Sequence, residues 1–342
     1  MTQIIDSFVL LGNKVKDKIN QFNLDNPSAF EKAVVQSQQE NGWFTRENIF
    51  DALTAIADNL TEEKLQKWLS AYEIPVKEPK NVGLIMAGNI PLVGFHDFLS
   101  VLVSGHRVVV KLSSSDKRLL PLLAQWLIEF DGTLKEKIIF TDKLSEIEAV
   151  IATGSNNSAR YFEAYFGKYP HIIRKNRNSV AILSGNESQD ELAALGKDIF
   201  SYFGLGCRNV SKLYVPENYD FDQFFKAIYD PFKDIIYHNK YANNYDYNKA
   251  IHLLDRVPLL ENGFVLLKED VSLHSPVAML HYEYYQSTDA VNNQLSMLQD
   301  KIQCIVSEDE TIENALPFGK AQKPELWDYA DNVDTLEFLK SV

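Results

Sequence analysis

Two cysteines, Cys207 and Cys304, are too few for a disulfide framework in a chain of 342 residues. No apolar run is long enough to cross a bilayer. Residues 1–26 mix apolar and charged residues as an amphipathic helix does. They lack the apolar core and small-residue cleavage site of a secretory signal, so a cytoplasmic location is expected. Positive charge is in deficit, 34 Lys and Arg against 47 Asp and Glu, a net −13. That balance argues against general affinity for nucleic acid or an anionic membrane, although a local basic cluster can still hold an anion. The seven histidines are scattered, with no His-x-x-x-His and no Cys-x-x-Cys, so no metal site is expected. Gly-x-Gly-x-x-Gly is missing as well, and there is no internal repeat or low-complexity linker.

What is present centres on Phe203-Gly204-Leu205-Gly206-Cys207-Arg208-Asn209, followed by the strand-like 210–216. Here a cysteine follows two glycines, between an amphipathic helical run and an apolar strand. Glycine lets backbone approach a ligand closely and adopt dihedrals that a side chain forbids. A neighbouring cation, Arg208, favours the thiolate, the nucleophilic form of the thiol. Cys207 is therefore the candidate nucleophile. Cys304 lies in the strand-like 302–306 and reads as core.

Along the chain, residues 1–78 read as several helices. Phe8, Leu11, Val15 and Ile19 recur at helical spacing, and Thr61 caps a helix through Leu65, Trp68 and Leu69. From Pro79 the pattern becomes strand, turn, helix, strand: strand 82–86, turn 87–91, helix 92–104 stopped by Gly105, strand 108–112. Helix 118–130 and strands 137–140 and 149–152 continue it, then helix 156–166 and strand 172–173. Beyond Val180 come strand 180–183, helix 189–202, strand 210–215, helices 221–232 and 245–254, strands 264–268, 277–281 and 301–306, and helix 290–298. Repeated β–α steps imply open parallel sheets with helices on both faces. Ligands bind beyond the carboxyl ends of such strands, where 87–91, 111–115 and 153–155 converge.

These pieces together resemble the acyl-CoA reductase branch of the aldehyde dehydrogenase superfamily, the bioluminescence fatty-acid reductase type, from about Asn81 onward. The resemblance implies an α/β fold of two open parallel-sheet domains. Residues 1–78 would be a helical region on the cofactor domain, 79–178 a Rossmann-like cofactor-binding domain, 179–315 the catalytic domain with Cys207, and 316–342 a segment returning to the domain interface. It implies Cys207 as nucleophile and Asn89, in Gly88-Asn89-Ile90-Pro91, as the oxyanion donor. Lys111, Ser114, Thr153, Gly154, Ser155 and Phe318 would hold a nicotinamide cofactor. Arg174, Lys175 and Arg177 are candidate phosphate contacts, and His171 a candidate proton carrier.

The departures from the family carry information too. Hydrolytic members have a glutamate in the stretch that is here 171–178, which holds no carboxylate. Thioester hydrolysis is therefore expected to be slow. Ser272 stands near the place of the family's ribose-binding glutamate. Ser114 stands where NAD-preferring relatives often hold a glutamate, which favours NADPH over NADH. The expected reaction is reduction of an acyl-CoA or carrier-bound thioester to an aldehyde by a homo-oligomer without metal. Two alternatives stand beside it: a non-redox acyltransferase or thioesterase, and a non-enzymatic partner of an acyl-activating protein.

Overall fold

The computed structural model describes residues 2–342 and divides into two units, Met1–Asn176 with Glu325–Val342, and Arg177–Pro324. The first unit opens with four helices. Helix α1 (Thr2–Asn20) buries Phe8, Leu11 and Val15 on one stripe. Helix α2 (Ala29–Glu40) starts from a capping box in which the Ser28 N–H is held by Glu31 at 2.8 Å. Thr45 caps α3 (Arg46–Asn59), and Thr61 caps α4 (Glu62–Leu69) by accepting the Lys64 N–H at 3.3 Å, as its sequence predicts.

Then follow β1 (Asn81–Ile85), α5 (Phe95–Val103), β2 (Arg107–Lys111), α6 (Leu119–Phe130), β3 (Ile138–Phe140), β4 (Ala149–Thr153), α7 (Asn156–Phe166) and β5 (His171–Arg174). The strands form one parallel sheet in the order β3-β2-β1-β4-β5. Alternation along each strand divides the residues between two faces. Leu84, Val108, Val110 and Ile151 face the helices α1–α6, while Ile85, Val109, Val150 and Ala152 meet α7 through Phe162 and Phe166. The order reverses between β1 and β4, the topological switch where open sheets of this kind bind ligands.

The expected helix 92–104 begins three residues late, at Phe95. Leu92 has φ 56°, in the left-handed region, so it belongs to the turn. Gly105 ends the helix at φ 97°, the role its position predicts.

The second unit holds β6 (Asn178–Ile182), α8 (Gln189–Phe200), β7 (Val210–Pro216), α9 (Phe221–Phe232), α10 (Asn239–Leu254), β8 (Leu260–Glu261), β9 (Leu266–Glu269), β10 (Met279–Tyr285), α11 (Thr288–Met297), β11 (Ile302–Val306) and β12 (Ala315–Leu316). Its sheet runs β12-β11-β6-β7-β10-β9-β8, parallel except where β8 meets β9. Leu213 and Val215 pack under α8 and α9, and Tyr214 between them packs with Val291 and Leu295 of α11. The strand expected from 264 starts at 266, because the N–H groups of Phe264 and Val265 are given to Asn262 Oδ1 instead of a ladder. Helix α10 starts earlier than residue 245, with Tyr241 fully buried in its first turn.

The chain's end rejoins the first unit. Helix α12 (Thr335–Ser341) buries Leu336 and Leu339 against the core that includes α5. The Trp68 indole N–H donates to Tyr329 Oη at 2.7 Å, and His96 Nε2 meets the Leu326 carbonyl at 2.9 Å.

Candidate active site

Cys207 is exposed, in the short connection between the end of α8 and the start of β7. Getting from helix to strand takes three successive left-handed residues, Tyr202 (φ 52°), Phe203 (φ 59°) and Gly204 (φ 76°). Only the glycine adopts that region without steric cost, so the other two must be held. Phe203 lies against the His238 ring with centroids 4.2 Å apart. Asn209, 3% exposed, clamps the rest. Its Oδ1 accepts the Gly206 N–H at 2.8 Å, and its Nδ2 donates to the carbonyls of Asp198 and Ser201 at 3.0 and 2.9 Å. One side chain thus ties the end of α8 to the loop that carries the thiol.

A second layer lies beneath. Ser179 Oγ donates to the Cys207 carbonyl at 2.9 Å and sits 3.0 Å from Cys304 Sγ. Burial pushes the Cys304 thiol up to about 11, so it stays protonated in a structural place. Arg208 Nη1 donates to the Ala321 carbonyl at 3.4 Å. Asp198 in turn accepts the N–H groups of Gly319 and Ala321 at 2.6 and 3.0 Å. Asp198 is fully buried, and burial lifts its carboxyl to about 6 despite those two donors. The buried carboxylate of α8 thus fixes the turn whose Ala321 carbonyl receives Arg208.

In the first unit, three expected ligand segments end up along one edge of the sheet, at the carboxyl ends of β2, β1 and β4. Asn89 is exposed in the turn after β1, Lys111 is exposed at the end of β2, and Ser114 is exposed just after it. Thr153 ends β4, Gly154 follows, and Ser155 caps α7 by accepting the Ser158 N–H at 3.2 Å. The opening turn of α7 therefore presents backbone N–H groups and the positive end of its dipole at the switch point. A Cβ on Gly154 would come within 2.9 Å of both Phe162 and Ser158, so glycine is required for the helix to lie this close. The turn after β1 lies hard against the segment after β2. A Cβ on Gly88 would stand 2.4 Å from Ser113 Oγ, and Asp116 Oδ2 accepts the Leu92 N–H at 2.8 Å.

Other sequence candidates sit in different surroundings. Arg174 is buried, paired with Asp97 of α5 and donating to Thr335 Oγ1 of α12 at 2.9 Å. That internal ion pair corrects the expectation of a phosphate contact there. Lys175 is exposed and pairs with Glu163 at 2.9 Å, and Arg177 donates to the Gln299 and Ile302 carbonyls at 3.3 and 3.4 Å. His171 is exposed at the start of β5, with Nδ1 2.8 Å from the Tyr169 carbonyl. Phe318 is also corrected as a cofactor contact: its ring is buried in the apolar core of the second unit. Ser272 donates its N–H to Asp270 at 2.8 Å, and with Lys268 it holds that carboxyl down at about 2. Among the described residues no cluster of His, Cys, Asp or Glu is placed to hold a metal.

Sequence reasoning missed the supports: Asn209, Ser179, Asp198, Asp116 and Asn41. The last of these, at the end of α2, donates from Nδ2 to the Gly88 and Ser115 carbonyls at 3.5 and 3.4 Å. A charged residue on the apolar face of an amphipathic helix, as Asp198 is in α8, was the one available signal.

The sequence model of the acyl-CoA reductase (LuxC) family matches residues 11–233, more than half of the chain. No curated protein sequence matches. Solved structures do, at low identity. Aldehyde dehydrogenase C from Pseudomonas syringae, complexed with NAD+ and octanal, is 13% identical, with a TM-score of 0.65 over 92% of this chain and 73% of that one. Aldehyde dehydrogenase 21 from Physcomitrella patens, in complex with succinate, is 13% identical, with a TM-score of 0.65 over 99% and 83%. The aldehyde dehydrogenase KauB from Pseudomonas aeruginosa is 12% identical, with a TM-score of 0.63 over 93% and 74%.

Proposed function

As this chain belongs to the acyl-CoA reductase (LuxC) family and has the aldehyde dehydrogenase fold, we propose that it reduces an acyl thioester to an aldehyde through an acyl-enzyme on Cys207. The observation that carries the reading is the exposed Cys207 thiol on a loop that Asn209 and Ser179 hold rigid. The thiolate attacks the acyl carbon, and the thiol of CoA or a carrier departs with a proton. Arg208, next in sequence and held to the Ala321 carbonyl through Nη1, is the cation this proposal assigns to the thiolate. In this proposal the Asn89 side-chain amide is an oxyanion donor. Losing one such donor costs about 10²–10³ in rate.

A nicotinamide cofactor fits the first unit. The opening turn of α7 at the sheet's switch point suits a pyrophosphate, and Gly154 lets that turn sit close to the end of β4. Ser155 and Thr153 flank that turn, and the exposed Lys111 would contact the ribose. Ser114, a hydroxyl rather than a carboxylate, leaves room for a 2′-phosphate and supports NADPH. When bound, the cofactor supplies the hydride that takes the acyl group to the aldehyde level.

The test is NADPH and NADH oxidation with short, medium and long acyl-CoA thioesters, beside Cys207→Ala. We expect oxidation that the variant loses, and an acyl adduct on Cys207 in intact mass without cofactor. An adduct without oxidation under any cofactor would leave non-redox acyl transfer instead. Neither signal would remove the enzymatic reading.

A further inference from the structure

The turn that carries Asn89 is bent in a way its own residues do not favour. Leu92, three residues on, sits at φ 56°, a region that a γ-branched side chain rarely enters. Something outside the turn has to hold it there. The contact is Asp116 Oδ2, which accepts the Leu92 N–H at 2.8 Å between two buried residues. Asp116 is 8% exposed and follows β2, so the bond joins the turn after β1 to the segment after the neighbouring strand. Its other oxygen, Oδ1, is buried without a partner, beside a cavity of about 10 Å³ lined by Met86, Leu92, Phe95 and Leu120. Close packing points the same way: the turn meets this segment again at Gly88, where a Cβ would strike Ser113, and Asn41 bridges Gly88 to Ser115.

We propose that Asp116 is a positioning residue for Asn89, holding the left-handed Leu92 so that the turn presents the Asn89 amide in one fixed place. The inference rests on the reading of Asn89 as oxyanion donor. Asp116 touches neither substrate nor cofactor in this account, and its effect on the reaction passes through Asn89 alone. Loss of Asp116 should then slow formation of the acyl-enzyme while leaving thioester binding almost unchanged. Its effect should vanish once Asn89 is gone.

The experiment compares wild type, Asp116→Ala, Asp116→Asn, Asn89→Ala and the Asp116→Ala/Asn89→Ala double variant, each first checked for folding by thermal melting. The readouts are the single-turnover rate of Cys207 acylation by an acyl-CoA and the steady-state kcat and KM. Expected are an acylation rate at least about tenfold lower for Asp116→Ala with KM within about threefold, near-normal rates for Asp116→Asn, whose carbonyl can still accept the Leu92 N–H, and no further loss in the double variant. Leu92→Gly provides a safeguard against misfolding, because glycine takes this φ without strain. In that background Asp116→Ala should fold and lose less of its rate. Equal slowing by Asp116→Ala with and without Asn89 would overturn the inference, as would an undiminished rate in Asp116→Ala. Asn89→Ala acylating at the wild-type rate would remove the oxyanion reading itself and the inference with it. That result needs only the single Asn89 variant, so the two failures are told apart.

Discussion

Asp198 is an acid on the buried face of the amphipathic α8, and its environment gives it a definite effect on stability. Burial lifts its carboxyl from an ordinary 3.8 to about 6. Between those values the folded chain holds more protons than the unfolded one. Stability from this group is therefore full below about 3.8 and lost as pH rises through about 6. Relative to Asp198→Asn, the wild type should gain on the order of 3 kcal/mol as pH falls from 7 to 4. Urea denaturation of both proteins across that range measures it, and parallel curves would contradict it. The bland substitution also alters the hydrogen bonds to Gly319 and Ala321, but that offset does not vary with pH. The residue acts at a distance from the thiol, through the turn that receives Arg208.

Among the elements, β5 and α12 are joined by a single buried cation. Arg174 reaches Asp97 in α5 and Thr335 in α12, so three elements of the first unit share one charge pair. Removing Arg174 strands the Asp97 carboxylate, which is 6% exposed, without its counter-charge. Arg174→Ala should cost about 3–5 kcal/mol. Lys175→Ala, next in sequence but exposed with Glu163, should cost less than about 1 kcal/mol. Chemical denaturation separates the two. Comparable small losses would mean that the Arg174 pair is not the tie between these elements. The residues that read alike in Arg174-Lys175-Asn176-Arg177 thus take different roles, because strand alternation turns Arg174 inward and leaves Lys175 outward.

For the molecule as a whole, the missing carboxylate in 171–178 decides the fate of the proposed acyl-enzyme. A general base contributes about 10²–10⁴ to the attack of water, and no carboxylate base stands in that stretch. A thiol brings its own nucleophilic anion. Acyl-Cys207 prepared without cofactor should therefore persist in buffer and decay at least about tenfold faster when CoA or another small thiol is added. Intact mass against time reads both rates, and equal decay with and without thiol would count against it. Among the described residues no helix is long and apolar enough to cross a membrane.

The order of elements was legible because burial leaves a local signature. Short continuous apolar runs became β1, β2 and β4, and the caps at Thr61 and Gly105 stand where their chemistry requires. The place of Cys207 between helix and strand was legible for the same reason, as were the segments gathered at the carboxyl ends of the first sheet. The supports were not. Asn209, Ser179, Asp116 and Arg174 work through partners up to 161 residues away, and no local pattern encodes which buried partner a polar side chain will meet. Phe318 shows the same gap from the other side, since an aromatic in a turn-rich tail reads alike whether it lines a ligand or fills a core. Local spacing and propensity determined the helices, the strands and the place of Cys207 between them. Only the tertiary structure decided which side chains hold them, because burial and hydrogen-bond pairing belong to the packed chain and not to any stretch of it.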